Sequence, residues 1–547
     1  MKRITFIITL LSFCCLTNVA SSQNFDSKID SLYQVKNNEP GFSVAVFKGD
    51  QITTEKQYGI SNLDYMIPVT KETVFDIGSI AKQFTAGAIL LLENQGKLSI
   101  RDPAYKYIDN LPRYKKGDPT IEQLLNQTSG IKEVDPYLEV CDINWRDYIK
   151  SSMLVNIIIN IDELNFSPGD YFYYTNANYI LLAYIIEKAS GMLYEDYLQK
   201  NIFDPLKMDH TIVNIDVYRT IPNRAIGYTE YEGQIYKTHQ YGLFFTGDGQ
   251  IITNPEDMFQ WHQNIKYSTI GTPDVWKKMC TKAKLNDGTI INFGLGVEFE
   301  KHNGYEAMGF DGMISSGFVS KYLYFPELDL AFFTTQNTFD WDFKDRFFKL
   351  IDLYIQTKEE NSPIYKPIKL SNKGLKQYEG TYIYYYNDDN RKANNIKLID
   401  NQLQVFTLDG DKITELIPLS NQKFLFGEDG DAIVEFSLDG NQKQYTYDDL
   451  KNEKPWVFET YQPYKHSEKQ LKEYEGNYFN KKFQISKKLQ IENGKLYYYY
   501  RNGAWKNKMS SLSKDLLEIP ISPIEFIRSK NNEIEGFRIM GLLFEKI

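Results

Sequence analysis

The sequence predicts an α+β fold, in which an antiparallel sheet is flanked by helices and carries a helical subdomain, followed by two small antiparallel β-barrel domains. Three observations predict this organisation. Strand-like alternation occurs at both ends of residues 41–336 with a long helical region between, a polar segment with a proline follows, and the remainder consists of short strands in two similar copies. Because 547 residues exceed what one hydrophobic core normally serves, we expect more than one domain.

The first region combines strands at its ends with helices between them. Helical spacing of apolar residues predicts helices from Ile80 to Asn94 and from Asn178 to Ser190, and most of residues 100–290 is predicted to be helical. Alternation and turn residues predict strands at 42–48, 52–58, 293–297, 317–324 and 328–334. We therefore expect one sheet built from both ends of this region.

The last third of the chain repeats itself. The stretch Leu375 to Tyr382 matches Leu471 to Tyr478, and Val434-Glu435-Phe436 is echoed by Ile524-Glu525-Phe526 at nearly the same offset. Many short, evenly spaced strands predict that each copy closes as an antiparallel barrel, which removes exposed strand edges; a sandwich is the alternative. The polar, proline-bearing segment from Lys358 to Lys369 reads as the linker before the first copy.

The predicted domain bounds follow from these breaks. Residues 1–22 are assigned to a signal peptide, 25–357 to the first domain, 370–460 to the first barrel and 466–547 to the second. Lys2 and Arg3 precede an apolar run from Ile4 to Val19, which ends in small residues, as in a secretory signal. We therefore expect an exported protein, periplasmic or extracellular, without a membrane span once the signal is removed. A single membrane anchor is the alternative.

Composition excludes several classes of function. A net charge of −10 without a basic block argues against nucleic acid as a partner. The five histidines are scattered without metal-ligand spacing, and no phosphate-loop pattern occurs, so we expect neither a metal nor a cofactor. The mature chain would keep Cys141 and Cys280, which export permits to pair, although free thiols are slightly preferred.

Ser79 and Lys82 stand three residues apart where the first helical pattern begins. One helical turn places both side chains on one face, so the lysine amine can reach the hydroxyl. A serine hydroxyl needs such a base to act as a nucleophile. The spacing alone is weak, because Ser129/Lys132, Ser420/Lys423 and Ser511/Lys514 repeat it.

Three downstream stretches strengthen the interpretation of Ser79. They are Thr128-Ser129-Gly130, Pro168-Gly169 followed by Tyr174-Thr175-Asn176, and Met308-Gly309-Phe310-Asp311-Gly312. In this order, with the Ser79 stretch, they resemble the serine hydrolases of the β-lactamase and penicillin-binding-protein superfamily. The nearest branch is the class C-like group of D-Ala-D-Ala carboxypeptidases, D-aminopeptidases and esterases. The resemblance covers about residues 30–357, and it implies a β-lactamase/transpeptidase-like fold with lipocalin-like barrels behind it.

The resemblance implies a role for each matching residue. Ser79 would be acylated, Lys82 would be its base once burial favours the neutral amine, and Tyr174 would carry the proton. Asn176 would bind substrate and hold Lys82, and the backbone amides of Ser79 and Met313 would hold the oxyanion. Gly312, Met313 and Phe310 are assigned to substrate binding, in a stretch that is expected to precede a strand. Asn178, Tyr173 and Tyr179 are expected to be structural.

Two positions depart from the family pattern. Phe310 stands where a histidine or lysine usually holds a substrate carboxylate, and Gln127 replaces the usual histidine before Thr128-Ser129-Gly130. The second position is expected to be structural. The first changes the expected substrate, because a phenyl ring cannot hold a carboxylate.

Three functional hypotheses follow. The first is an acyl-enzyme serine hydrolase for an amide or ester, such as a D-amino-acid peptide, a cell-wall peptide or an ester without the free carboxylate. The second is a carboxypeptidase or β-lactamase in which another cation replaces the lost one. The third is a catalytically weak homologue that binds cell-wall peptide. The expected partners are thus a small peptide, amide or ester, with peptidoglycan as a further candidate.

Overall fold

A computed structural model describes residues 25–35, 38–144, 147–216, 218–238, 243–244, 246–339, 342–358, 365–387, 390–408, 410–427, 432–439, 442–448, 455–462, 464–501 and 503–547. The predicted signal peptide (1–22) and half of the predicted linker (359–364) lie outside the described residues. The chain divides into two compact units. The first comprises residues 1–94, 190–280 and 296–360, and the second comprises 95–189, 281–295 and 361–547.

A six-stranded antiparallel sheet, here the central sheet, forms the framework of the first unit. Its strands, in spatial order, are Glu298–His302, Tyr305–Ile314, Phe318–Phe325, Leu330–Gln336, Phe42–Lys48 and Gln51–Tyr58. The hairpin from the start of the region therefore pairs with strands from its end. This confirms the expected α+β layout.

Two details of the predicted strands are wrong. Residues 293–297 do not form the predicted strand, which begins only at Glu298, because Gly296 adopts a left-handed φ of +76° that a strand does not accommodate. The Phe310 stretch, expected to precede a strand, lies inside the strand Tyr305–Ile314. Gly309 and Gly312 lower the strand propensity of that segment.

The two faces of the central sheet bury different cores. Val44 and Val46 point to one face and belong to a hydrophobic cluster there. The cluster also contains Tyr33, which directly follows the helix at 25–32, and Phe347 of the helix Phe343–Tyr354. Phe47 points to the opposite face, which is covered by the helices Ala81–Asn94 and Pro255–Tyr267. On that face lies a core of large aromatic rings: Phe84, Trp261 and Trp276.

Shorter elements complete the first unit. Its remaining helical segments are Gly78–Ile80, Tyr194–Leu198, Gln199–Phe203, Asp204–Leu206, Pro273–Met279 and Pro326–Leu328. Its remaining strands are Ile60–Asn62, Ile67–Pro68, Phe75–Asp76, Ile212–Val213, Tyr228–Tyr231, Gln234–Lys237, Leu243–Phe244, Ile251–Thr253 and Thr338–Phe339. The region 100–290 is thus less uniformly helical than the sequence predicts.

The second unit contains short helices and both barrels. Its helical segments are Ala104–Lys106, Ile121–Leu125, Asp135–Val140, Ser151–Ile159, Asn372–Lys376, Glu468–Leu471 and Lys472–Tyr474, with a two-residue strand at Ile149–Lys150. The longest helix, Asn176–Ser190, belongs to it except for its last residue.

The first barrel is closed by eight strands. They are Gly380–Asn387, Asn390–Ile399, Gln402–Phe406, Lys412–Pro418, Lys423–Phe426, Ile433–Asp439, Gln442–Asp448 and Trp456–Thr460. The second barrel is a nearly closed sheet of nine strands, in which the first strand pairs with the last. They are Gly476–Asn480, Ile485–Glu492, Lys495–Tyr500, Trp505–Lys508, Ser510–Ser513, Leu516–Ile519, Ser522–Arg528, Ile534–Ile539 and Leu542–Lys546.

The sequence repeat produces the same local structure in both barrels. The Tyr382 hydroxyl donates to the Tyr378 carbonyl at 2.9 Å, and Tyr478 donates to the Tyr474 carbonyl at 2.7 Å. The rings Tyr378–Phe436 lie 4.4 Å apart, and the matching pair Tyr474–Phe526 lies 4.3 Å apart. The repeated residues therefore form the same contacts at the start of each barrel.

Three further findings concern the described residues only. None of their helices is long and apolar enough to cross a membrane. No group of three or more of their histidine, cysteine and acidic side chains is placed to hold a metal ion. Both Cys141 and Cys280 are free thiols.

Candidate active site

Ser79 lies in a single 3-10 turn, Gly78–Ile80, that leads into the helix Ala81–Asn94. Between Thr73 and Leu92, a stretch described throughout, every residue except Ser79 is buried. Ser79 is therefore the only residue of this stretch that is partly exposed. A hydroxyl at this place can meet a substrate.

Lys82 is fully buried beneath this serine. Its Nζ donates to Ser79 Oγ at 3.0 Å and to the Asp248 carbonyl at 2.9 Å. The loop that supplies this carbonyl is itself held by the same helix, because Thr85 Oγ1 donates to the Gly247 carbonyl at 2.6 Å. The contact with Asp248 holds the lysine amine from a loop 166 residues away in the sequence, so no local pattern reveals it.

The turn before Ser79 is fixed by a buried carboxyl group. Asp76 Oδ1 accepts the Gly78 amide at 3.0 Å, and the Ile77 amide donates to the Ile251 carbonyl at 3.0 Å. Burial raises the pKa of Asp76 to about 6, against the opposing effects of the Gly78 amide and the Arg224 charge. Gly78 adopts a left-handed φ of +52°, which lets the chain turn sharply into the nucleophile.

The predicted oxyanion strand touches this turn. A Cβ on Gly78 would lie 2.7 Å from the Met313 amide nitrogen, and a Cβ on Gly312 would lie 1.9 Å from the Ile77 carbonyl oxygen. Only glycine at both positions permits so close an approach. The structure therefore brings Met313 next to the Ser79 turn, as the oxyanion assignment requires; the role of its amide stays a prediction.

Phe310 is buried on the strand that carries Gly312, with 3% of its surface exposed. The two residues are separated by one position, so their side-chain directions share a face of the sheet. Tyr322 lies opposite Phe310 in the register, and its hydroxyl shares a hydrogen bond of 2.8 Å with His262 Nδ1. Burial lowers the pKa of His262 to about 3, so no cation is supplied there at neutral pH.

Lys321, on the neighbouring strand of the sheet, forms ion pairs with acidic groups. Lys321 lies opposite Asp311, on the alternate face, where it forms ion pairs with Asp311 and with Glu300, the latter at 2.7 Å. Its ammonium also lies 5.7 Å from the centre of the Phe347 ring. The sequence did not predict this network, because its members come from three separate strands and a helix.

Tyr174 and Asn176 belong to the second unit, where they stand at the start of the helix Asn176–Ser190. The Asn176 amide donates to Glu133 Oε2 at 2.8 Å, and the Ala177 amide donates to Thr175 Oγ1 at 3.2 Å. A carboxylate at a helix N-terminus also offsets the helix dipole. The helix thus begins two residues earlier than predicted. That Tyr174 and Asn176 act on the Ser79 chemistry stays a prediction.

Gln127 also holds the Tyr174-Thr175-Asn176 stretch, here the Tyr174 box, in place. It is fully buried and adopts a left-handed φ of +63°. Its side-chain oxygen accepts the Thr175 amide at 3.2 Å and Asn178 Nδ2 at 2.6 Å, while its carbonyl accepts the Tyr173 amide at 2.8 Å. Gln127 and Asn178 thus hold neighbouring segments together, as expected of structural residues, and Tyr179 donates to the Leu125 carbonyl.

The other three serine–lysine spacings have local structural explanations. Ser129 Oγ donates to Asn178 Oδ1 at 2.6 Å. Ser420 Oγ accepts the Lys423 amide in a turn, and Ser511 Oγ shares a hydrogen bond with His466 Nδ1. Each hydroxyl is thus used in holding the fold.

Comparison with known proteins agrees with this geometry. The family model described as Beta-lactamase matches residues 25–353, more than half of the chain. Protein flp of Staphylococcus aureus strain MW2 is 31% identical over 285 residues, which are 50% of this chain and 54% of flp. The chain spans about half the length of the curated relatives it matches.

Solved structures share the fold. The octameric penicillin-binding protein homologue from Pyrococcus abyssi has a TM-score of 0.55 at 24% identity, over 80% of this chain and 99% of that one. The D-amino acid amidase of Ochrobactrum anthropi SV3, complexed with D-phenylalanine, has a TM-score of 0.52 at 21% identity, over 60% of this chain and 98% of that one.

Proposed function

The chain belongs to the beta-lactamase family, and from that premise we propose that it is a hydrolase that forms an acyl-enzyme at Ser79. The observation that carries the proposal is the 3.0 Å hydrogen bond between the buried Lys82 amine and the hydroxyl of Ser79, a residue that is only partly buried. A base aimed at a serine oxygen is what nucleophilic catalysis requires.

The proposed reaction has two halves. Ser79 Oγ attacks the substrate carbonyl carbon while its proton passes to the neutral amine of Lys82. The resulting oxyanion accepts hydrogen bonds from the Ser79 and Met313 amides. The proton then reaches the leaving amine or alcohol through Tyr174, and the carbon–nitrogen or carbon–oxygen bond breaks. In the second half, water attacks the acyl-enzyme, the same groups carry its proton back to Ser79 Oγ, and the acyl group is released.

The substrate proposed is a small amide or ester without a free carboxylate beside the scissile bond. Phe310 occupies the place of the usual cation, and the neighbouring Lys321 is paired with acidic groups on the opposite face of the sheet. Likeness of fold to a D-amino acid amidase agrees with a neutral amide of a D-amino acid or peptide. An ester and cell-wall peptide belong to the same proposal.

A penicillin-binding role is the second candidate. The approach of Met313 to Gly78 would serve a bound β-lactam carbonyl equally well, and one structural relative is described as a penicillin-binding protein homologue. Penicillin would acylate Ser79 in either form of this candidate: a catalytically weak homologue that binds cell-wall peptide would release the acyl group slowly, and a β-lactamase would hydrolyse it.

We also propose that the protein acts outside the cytoplasm, in the periplasm or beyond the cell. Lys2, Arg3 and the apolar run that follows support export. Fractionation of cells that produce the full-length chain tests this. A protein that keeps residues 1–22 and stays in the cytoplasm would contradict it.

Covalent labelling tests the proposed function. The purified protein is treated with a fluorophosphonate and, separately, with a labelled penicillin, and the adduct is mapped by peptide mass. We expect a fluorophosphonate adduct on Ser79 that is absent from Ser79→Ala. Ser420→Ala, which removes the serine of another Ser-x-x-Lys spacing, serves as the control and should label normally. A fluorophosphonate adduct that persists in Ser79→Ala would refute the mechanism, and labelling by penicillin would favour the second candidate.

A further inference from the structure

The second barrel contacts the segment that follows the Thr128-Ser129-Gly130 stretch. This segment, residues 132–142 and here the anchor segment, contains the helix Asp135–Val140. The anchor segment and the second barrel belong to the same compact unit. Tyr137, fully buried, donates from its hydroxyl to the Met540 carbonyl at 2.5 Å.

A buried ion pair fixes the end of the anchor segment. Lys487 lies on the inner face of the second barrel with a fully buried side chain, and it pairs with Asp142, whose side chain is 17% exposed. The same carboxylate accepts the Arg501 amide at 2.6 Å. A buried ammonium is unfavourable without such a partner, so this contact specifies one docked arrangement.

The start of the anchor segment lies beside another part of the second barrel. Lys132 is 5% exposed and lies 3.7 Å from Glu163. A Cβ on Gly541, at the turn between two barrel strands, would lie 2.9 Å from Glu163 Oε2 and 3.5 Å from Lys132 Nζ. The barrel therefore lies close to the chain on both sides of Glu133, and it hydrogen-bonds directly to Tyr137 on one of them.

Glu133 is the residue that connects this docking to the catalytic box. One of its carboxylate oxygens accepts the Val134 amide at 2.7 Å, and the other accepts the Asn176 amide at 2.8 Å. The position of Glu133 depends on the rest of the anchor segment, which contacts the second barrel through Tyr137 and Asp142. A shift of the anchor segment would therefore move the cap of the helix that carries Asn176.

We propose that the second barrel is a positioning element for the Tyr174-Thr175-Asn176 box, which it sets through the anchor segment and Glu133. Glu133 and Lys487 are positioning residues and touch no substrate in this account. This proposal rests on the proposed function only in the experiments that measure the reaction of Ser79. The placement of the Tyr174-Thr175-Asn176 box can be measured whether or not the protein is a hydrolase.

The test uses the full-length chain and two readouts. One is hydrogen exchange of the peptide from Tyr174 to Tyr179, and the other is the rate of fluorophosphonate labelling at Ser79. Lys487→Met should raise exchange in that peptide and slow labelling by on the order of tenfold. Lys481→Met is the matched control: Lys481 forms an exposed ion pair with Glu545 on the same barrel, and neither readout should change.

Coupling is tested by combining Lys487→Met with Glu133→Gln. Because the Lys487 change is proposed to act through the contact of Glu133 with the Asn176 amide, the double variant should be no slower than the slower single variant. Equal exchange and labelling in folded Lys487→Met and Lys481→Met, or fully additive effects in the double variant, would overturn the proposal.

Two further outcomes are distinguishable. If Lys487→Met fails to fold, Tyr137→Phe removes only the hydroxyl bonded to Met540, and increased exchange at residues 174–179 is then the deciding result. If the wild type forms no adduct but exchange still responds to Lys487→Met, the proposed function fails while the positioning role stands.

Discussion

Replacing Gly312 with alanine tests the contact between the oxyanion strand and the nucleophile turn. A Cβ at this position would lie 1.9 Å from the carbonyl oxygen of Ile77 and 2.9 Å from its carbonyl carbon. Separations below 3.0 Å are not found for real Cβ atoms, and both opposing atoms are backbone. The strand and the turn must therefore separate by at least 1.1 Å, the difference between 3.0 and 1.9 Å.

The expected loss follows from that displacement. A misplacement of about 1 Å in a catalytic arrangement costs on the order of 100-fold in rate. Removal of one oxyanion donor costs a similar factor, about 100- to 1,000-fold or ~2.7–4 kcal/mol. We therefore expect Gly312→Ala to label with fluorophosphonate about 100-fold more slowly than the wild type, and to lose about 1–3 kcal/mol of stability through overpacking.

The assay compares labelling rates of folded proteins, with thermal unfolding measured on the same samples. Gly249→Ala is the matched control. Gly249 follows Asp248, whose carbonyl accepts the Lys82 amine, yet a Cβ there would have no atom within 4 Å. Gly249→Ala should label at the wild-type rate. A folded Gly312→Ala that also labels at the wild-type rate would refute the oxyanion reasoning.

Two further predictions concern buried groups of the first unit. Because the folded-state pKa of Asp76 is raised to about 6, its ionisation opposes folding increasingly as pH rises from about 4 to 6, by about 3 kcal/mol at the full shift. Asp76→Asn keeps an acceptor for Gly78, so its melting temperature relative to the wild type should be higher at pH 8 than at pH 5; an equal difference at both values would contradict this. Phe310→His places a polar ring in a site 3% exposed and should cost about 1–3 kcal/mol in thermal unfolding. The same variant should raise kcat/KM for a free-acid substrate relative to its amide, and an unchanged ratio would mean that another residue holds the carboxylate.

Local patterns predicted much of the fold. The period of two in Phe42–Lys48 reflects a strand buried on one face by Val44 and Val46 and on the other by Phe47. The repeated tyrosines were recognisable because each copy needs the same ring and hydroxyl contacts, at Tyr382 and again at Tyr478. Such features are encoded by neighbours in sequence, so sequence reveals them.

Features that depend on distant contacts were missed. The glycines at 309 and 312 argued against a strand when judged by propensity, yet Gly312 is required because Ile77 approaches it from another element. The early start of the helix at Asn176 depends on Glu133, 43 residues away. No local pattern signals either contact.

The candidate site was partly predictable for the same reason. Ser79 and Lys82 are one turn apart, so their hydrogen bond follows from helical geometry. A second partner of Lys82, the Asp248 carbonyl, is 166 residues from it and was found only in the structure. The ion pairs of Lys321 with Asp311 and Glu300 likewise join separate strands.

The most direct test of the central claim is the rate of Ser79 labelling in Lys82→Met. Methionine keeps the length and apolar stem of this fully buried side chain but removes the amine bonded to Ser79 Oγ. Loss of a general base costs about 100- to 10,000-fold, so the folded variant should label about 1,000-fold more slowly than the wild type. Labelling of folded Lys82→Met at the wild-type rate would show that Lys82 does not activate Ser79 and would contradict the account.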